Sequence, residues 1–67
     1  MIAVHVNGGS FELADGSSLA GLVDSHVTQT KGVAIAVNQE VIPRSMWAST
    51  SLTAGDRIEI LIAAQGG

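Results

Sequence analysis

Only one stretch of this chain repeats at the period of an α-helix, and that singleness constrains the fold more than any other feature. Leu19, Leu22, Val23, His26 and Val27 fall at i, i+3, i+4, i+7 and i+8, the apolar stripe of a helix that lies on a core. Ser18 precedes the stripe as its N-cap, with Ser17 the alternative, and the helix is expected to run to about Thr30. Gly32 stands where a left-handed residue would close that helix, and Lys31 stands in its last turn, favourably placed for the helix dipole. A lone amphipathic helix has nothing to bury its stripe against unless the rest of the chain supplies a sheet.

The rest of the chain reads as strands. Ile2, Val4 and Val6 alternate with Ala3 and His5, "NGGS" offers the positive-φ residues of a hairpin turn, and Phe11 and Leu13 flank Glu12 on the returning strand. "VAIAVN" from Val33 to Asn38 is an unbroken apolar run bounded by turn residues, as expected of a central strand at least partly covered on both faces. "NQE" then turns into a short strand with Val41 and Ile42. Pro43 has no N–H for a ladder, so that strand lies at an edge or stops there. "SMWAST" reads as an irregular or 3₁₀ turn and "TAGD" as a tight turn. In "RIEILI", Ile58, Ile60 and Ile62 are expected to face inward and Arg57, Glu59 and Leu61 outward. The order β, β, α, β, β, β predicts an α+β fold of the β-grasp, ubiquitin-like kind: a mixed sheet of about five strands packed on one helix.

Gly21 breaks the helical pattern at a cost of about 1 kcal/mol relative to Ala, which close approach of helix and sheet would explain. The chain divides into a β-grasp domain, 1–63, and a flexible C-terminal tail, 64–67.

Size and composition remove most function classes. A domain of 67 residues buries only about 60% of the surface of its unfolded chain, which leaves no room for both a core and a deep catalytic cleft. The absence of cysteine excludes disulfides, Cys-based zinc sites and a Cys nucleophile. With a formal charge of −3 and only Lys31, Arg44 and Arg57 as cations, scattered along the chain, nucleic acid is a poor partner. No apolar run approaches the roughly 20 residues that span a bilayer, and "MIAVHVNGGS" lacks the basic region of a signal peptide. A cytoplasmic protein with no membrane partner, monomeric when free, is expected.

No enzyme motif is present. "GSSLAG" misses the G-x-S-x-G spacing, there is no phosphate-binding G-x-x-x-x-G-K-[ST], and His5 and His26 have no metal-spaced neighbour. His26 reads as a packing residue with one satisfied nitrogen and His5 as solvated. Trp47 is read as an aromatic cap on the open end of the core, with partner contact the alternative. Arg44, beside an edge strand, is placed to hold a chain terminus or a partner's acid. Leu61, outward-facing next to the tail, suits a docking surface, with incidental exposure the alternative.

The chain ends "AAQGG". Residues 64–67 extended would reach about 13 Å, and Gly66 and Gly67 have no Cβ to obstruct a narrow channel, so with Gln65 they can thread a carboxylate into another protein. An α-carboxyl with pKa near 3.5 is ionised at neutral pH and can attack the α-phosphate of ATP. The resulting acyl-adenylate would accept a sulfur nucleophile and leave a thiocarboxylate on Gly67. All catalytic groups would then belong to partners.

The segment "AIAVNQEVIPRSMWASTSLTAGDRIEILIAAQGG" resembles the sulfur carrier family of thiamine biosynthesis, the ThiS family. Ala34, Ala36, Asn38, Pro43, Arg44, Trp47, Leu52, Gly55, Asp56, Gly66 and Gly67 carry the match, with Asn7, Gly16 and the apolar helix positions before them. The resemblance implies a β-grasp fold, no bound cofactor, and adenylation of Gly67 by an adenylyltransferase of the ubiquitin-activating type that consumes ATP. It also implies sulfur drawn from a donor such as a cysteine desulfurase and delivered to thiazole synthase. Gly21, Glu59 and Gln65 depart from the family's pattern at positions that bear on partner affinity rather than on the carboxylate. Three alternatives share the features: the small subunit of molybdopterin synthase, against which "N-Q-x-x-x-P-R-x-x-W" argues; a ubiquitin-like modifier, with Lys31 as its one lysine; and a plain interaction module with an inert Gly-Gly end.

Overall fold

The computed structural model describes residues 1–27 and 31–62. Strands β1 (Ile2–Val6) and β2 (Gly9–Leu13) form a hairpin, helix α1 (Leu19–His26) crosses over, and β3 (Val33–Val37) and β4 (Glu40–Ile42) form a second hairpin. A 3₁₀ turn at Arg44–Met46 then leads to β5 (Arg57–Ile62). The five strands make one sheet in the order β2-β1-β5-β3-β4, with the last strand in the middle. β5 runs parallel to β1 and antiparallel to β3, so the sheet is mixed as expected.

Both hairpin turns rest on asparagine. Asn7 (φ 49) and Gly8 (φ 85) take left-handed conformations in the first, and Asn38 (φ 53) and Gln39 (φ 71) do so in the second. A two-residue hairpin needs positive φ at both positions to match the twist of its strands, and Asn tolerates that geometry better than most residues. Gln39 lacks that tolerance, and its left-handed backbone carries a cost of order 1 kcal/mol.

The helix lies on one face of the sheet. Leu19, Leu22 and Val23 from α1 meet Val4 and Val6 from β1, Ile35 from β3 and Ile58 and Ile60 from β5, all buried, with Trp47 and Leu52 closing the end. Ser18 is the N-cap, its Oγ accepting from the Gly21 N–H at 3.2 Å. Two further first-turn donors are satisfied by the connection that follows the 3₁₀ turn: the Leu19 N–H donates to Thr50 O at 2.8 Å and the Ala20 N–H to Trp47 O at 3.1 Å. Trp47 itself is buried and its Nε1–H donates to Ile42 O at 2.8 Å, which makes it a core cap tied to the edge strand.

Several sequence expectations need correction. The helix is shorter than expected: it ends at His26, and Val27 is already extended (φ −131, ψ 148), while the expected end near Thr30 lies outside the described residues. The β-branched Val27, Thr28 and Thr30 are poor helix formers, and the Leu22 carbonyl is engaged from the side by Ser25 Oγ at 2.8 Å and lies 3.0 Å from His26 Nδ1. Gly32 is left-handed (φ 74), but it belongs to the turn that enters β3, and His26 rather than Lys31 occupies the last helical turn. Gly21 is exposed, and a Cβ there would meet only Ser18 Oγ, at 3.6 Å, so close approach to the sheet does not explain it. For β3 the expectation of at least partial cover on both faces is met: Ile35 is buried on one face, and on the other Ala36 is half-buried while Ala34 is exposed.

Candidate functional site

β5 is the element that leads to the C-terminal residues, and its two ends are treated differently. Its start is fixed by the second hairpin turn. The Asn38 N–H donates to Arg57 O at 2.7 Å, Asn38 Oδ1 accepts from the Arg57 N–H at 3.0 Å, and Asn38 Nδ2 donates to Asp56 Oδ1 at 3.0 Å. Asp56 in turn closes the "TAGD" turn, accepting from the Thr53 N–H at 2.8 Å and from Thr53 Oγ1 at 3.0 Å, with Gly55 left-handed between them. Burial is the largest influence on the Asp56 carboxyl and works to raise its pKa, but the bonds from the Thr53 N–H, the Asn38 amide and the Thr53 hydroxyl together hold it below the ordinary 3.8.

The middle of β5 is fixed by the first hairpin turn. β1 pairs with β5 only at His5↔Arg57 and Val6↔Ile58, and then turns away. That departure would leave the next peptide groups of β5 on that side without a ladder partner. The side chain of Asn7 supplies it: Oδ1 accepts from the Ile60 N–H at 2.9 Å and Nδ2 donates to Ile60 O at 3.3 Å. One side-chain amide thus stands in for one more strand residue.

Beyond Ile60 nothing covers the strand among the described residues. Leu61 is 61% exposed on the outer face, opposite Ala34, and Ile62 is 66% exposed on the inner face. The outward position of Leu61 is as expected, and Ile62 is expected to face inward. It does lie on the inner face, but the helix that would cover it ends at His26, leaving a shallow depression of about 290 Å³ lined by Phe11, His26, Val27, Ile60 and Ile62. His26 packs edge-on against Phe11, ring centroids 4.9 Å apart, so its packing role holds although it is exposed, and His5 is exposed as expected. On the outer face Leu61, Ala34, Ala36 and Val41 follow one another through the β5–β3 and β3–β4 pairs, with Val41 71% exposed. The structure therefore places an apolar strip where β5 leaves the sheet.

Arg44 opens the 3₁₀ turn after Pro43, exposed, beyond the edge strand β4 and on a different element from Leu61. Gln65, Gly66 and Gly67 lie outside the described residues, as does the 64–67 tail as a whole. Among the described residues no three His, Cys, Asp or Glu side chains gather as a metal site would require, and no helix is long and apolar enough to cross a membrane. The roles of Asn7 and Asn38 were not legible as clamps in the sequence, although "NG" and "NQ" between apolar runs marked both as turns.

Four similarities to known proteins bear on this arrangement. A model of the ThiS family matches residues 4–67. The sulfur carrier protein ThiS of Escherichia coli (strain K12) is 30% identical over 61 residues, which cover 91% of this chain and 92% of that protein. The crystal structure of a thiamine biosynthesis protein (ThiS) from Geobacter metallireducens is similar with a TM-score of 0.83 at 28% identity, covering 98% of this chain and all of that one. The solution structure of a thiamine biosynthesis protein from the same organism gives a TM-score of 0.79, also at 28% identity, over 98% of this chain and 88% of that chain.

Proposed function

The chain belongs to the ThiS family, the sulfur carriers of thiamine biosynthesis, and from that premise we propose that it holds its sulfur as a thiocarboxylate on Gly67. The observation that carries the reading is that the family match runs through the two glycines to residue 67. The exposed end of β5 supports it, because a chain that must enter a partner's active site needs a strand end that the body leaves uncovered.

The chemistry proceeds in three steps. The Gly67 carboxylate, ionised near neutral pH, attacks the α-phosphate of ATP and expels pyrophosphate, in the active site of an adenylyltransferase of the ubiquitin-activating type. Sulfur from a donor such as a cysteine desulfurase then displaces AMP: hydrosulfide leaves the thiocarboxylate directly, whereas a persulfide leaves an acyl disulfide whose S–S bond a thiol reductant cleaves to the thiocarboxylate. Delivery of that sulfur to an acceptor on thiazole synthase returns the free carboxylate, with the oxygen that replaces sulfur supplied by the acceptor or by water. This chain is the co-substrate in each step, contributing Gly67 as the reacting group, Gln65 and Gly66 as a narrow thread, and Leu61 with Arg44 as partner contacts. ATP is consumed by the partner and no cofactor resides here. The setting is cytoplasmic and the free carrier is a monomer.

In cells whose thiamine synthesis depends on this protein, deletion of Gly67 is expected to create a thiamine requirement while the protein still accumulates. Growth without thiamine at normal rate would sink the proposal and leave an inert Gly-Gly end.

A further inference from the structure

Asn7 is followed by Gly8, the one residue type with no side chain to shield its own backbone nitrogen, and Asn7 and Gly8 are both exposed. Asn7 is also the residue whose amide completes the β1–β5 pairing, with Oδ1 and Nδ2 both bonded to the Ile60 backbone. We propose that Asn7 is a site of spontaneous deamidation that the folded hairpin holds in check, and that the reaction releases the clamp on β5. The inference does not rest on the sulfur carrier reading.

The step balances without oxidant or reductant. The Gly8 nitrogen attacks Asn7 Cγ, the Cγ–Nδ2 bond breaks, and the Gly8 proton leaves with Nδ2 as ammonia, giving a five-membered succinimide. Water adds to either succinimide carbonyl and opens the ring to aspartate or isoaspartate.

The fold opposes the first step in two ways. Attack comes from above the amide plane, and that plane is fixed by two hydrogen bonds to Ile60. The ring closure also demands a backbone rearrangement that the left-handed pair Asn7 (φ 49) and Gly8 (φ 85) resists, because the hairpin fixes both residues. Reaction therefore proceeds through opening of the turn, and losing both bonds corresponds to a slowing of about fivefold to about 150-fold in the folded protein. Asn38 is the internal control. It occupies the equivalent turn with its amide equally engaged, but Gln39 follows it, and a side chain at that position obstructs attack.

Once formed, the aspartate at this position keeps an oxygen to accept from the Ile60 N–H but has no hydrogen for Ile60 O, against which it sets an anionic oxygen. Isoaspartate lengthens the backbone of the turn and moves the group away altogether. Either product leaves the Ile60 carbonyl without its partner at the point where β5 loses its neighbour β1.

The test is to incubate the full chain at mildly alkaline pH, folded and in concentrated urea, and to map peptides for replacement of NH₂ by OH and for isoaspartate. The expected result is reaction at Asn7 in urea, much slower reaction there when folded, and slower reaction at Asn38 than at Asn7 in urea; Gly8→Ala should slow Asn7 in urea. Equal rates at Asn7 in the folded and unfolded chains would overturn the protection, and equal rates at Asn7 and Asn38 in urea would overturn the site. Amide exchange at Ile60 is expected to be faster in the isoaspartate-containing protein, which loses both bonds, and to a smaller degree in Asn7→Asp, where repulsion from Ile60 O works against the one bond that remains. Unchanged exchange in both would overturn the clamp.

Discussion

Ile58 and Ile62 are the same residue type on the same face of the same strand, yet one is 1% exposed and the other 66%. Ile58 lies in the cluster formed with Leu19, Val23 and Ile35, while Ile62 lies past the end of α1, where neither helix nor β1 reaches. β5 is therefore two things in sequence. Its first half is the centre of a hydrophobic core, and its last residues are a lead into the C-terminus, carrying apolar side chains that contribute little to the stability of the isolated domain. Asn38, Asp56 and Asn7 fix the first half to both neighbouring hairpins and stop there.

The largest effect should come from cutting the two isoleucines equally. Ile58→Ala should cost about 2–5 kcal/mol in denaturant unfolding, through lost transfer energy and the cavity left among rigid neighbours. Ile62→Ala should stay within about 0.5 kcal/mol of the parent. Similar losses from the two would erase the contrast.

A smaller effect of opposite sign is expected in the body. Since a Cβ at Gly21 meets no backbone, Gly21→Ala should stabilise by about 1 kcal/mol, visible as a raised denaturation midpoint with an unchanged slope. Destabilisation would show that the helix needs its glycine after all.

The Asp56 clamp gives the contrast a pH dependence. Its carboxyl titrates lower in the folded chain than in the unfolded one, so its contribution is fully present above the unfolded value and is lost as pH falls through the folded value. Stability should therefore decline below about pH 4, and less steeply in Asp56→Asn, followed by equilibrium unfolding across that range. Parallel profiles would remove Asp56 from the account.

The smallest effect on stability should accompany the largest on partner binding. Leu61→Asp is expected to leave the melting temperature nearly unchanged while weakening docking to the adenylating enzyme, read as a slower adenylation rate at limiting carrier. A normal rate would show that the outer apolar strip is incidental.

Much of this was legible in the residues. Alternation located β1, β2 and β5, and Ser18 was readable as the N-cap because its oxygen serves a backbone donor of the helix that follows. Trp47 was readable as a core cap. The helix end was not, because the apolar spacing includes Val27, while β-branching and the side chains that engage the Leu22 carbonyl decide where the helix stops. The exposure of Ile62 escapes the pattern for the same reason, since alternation specifies a face but not whether anything covers it. Asn7 and Asn38 announced turns; that their amides would reach across to β5 depends on the parallel β1–β5 pairing, a long-range relation that no local pattern encodes.

Sulfur on Gly67 can be read by mass spectrometry. Protein purified from cells with active pathway partners would be alkylated before its intact and C-terminal fragment masses are recorded. Alkylation separates a thiocarboxylate from oxidised Met1 or Met46, which add nearly the same mass as exchange of oxygen for sulfur. The expected result is an alkylated sulfur on Gly67. A bare carboxylate there, with partners and ATP present, would contradict it.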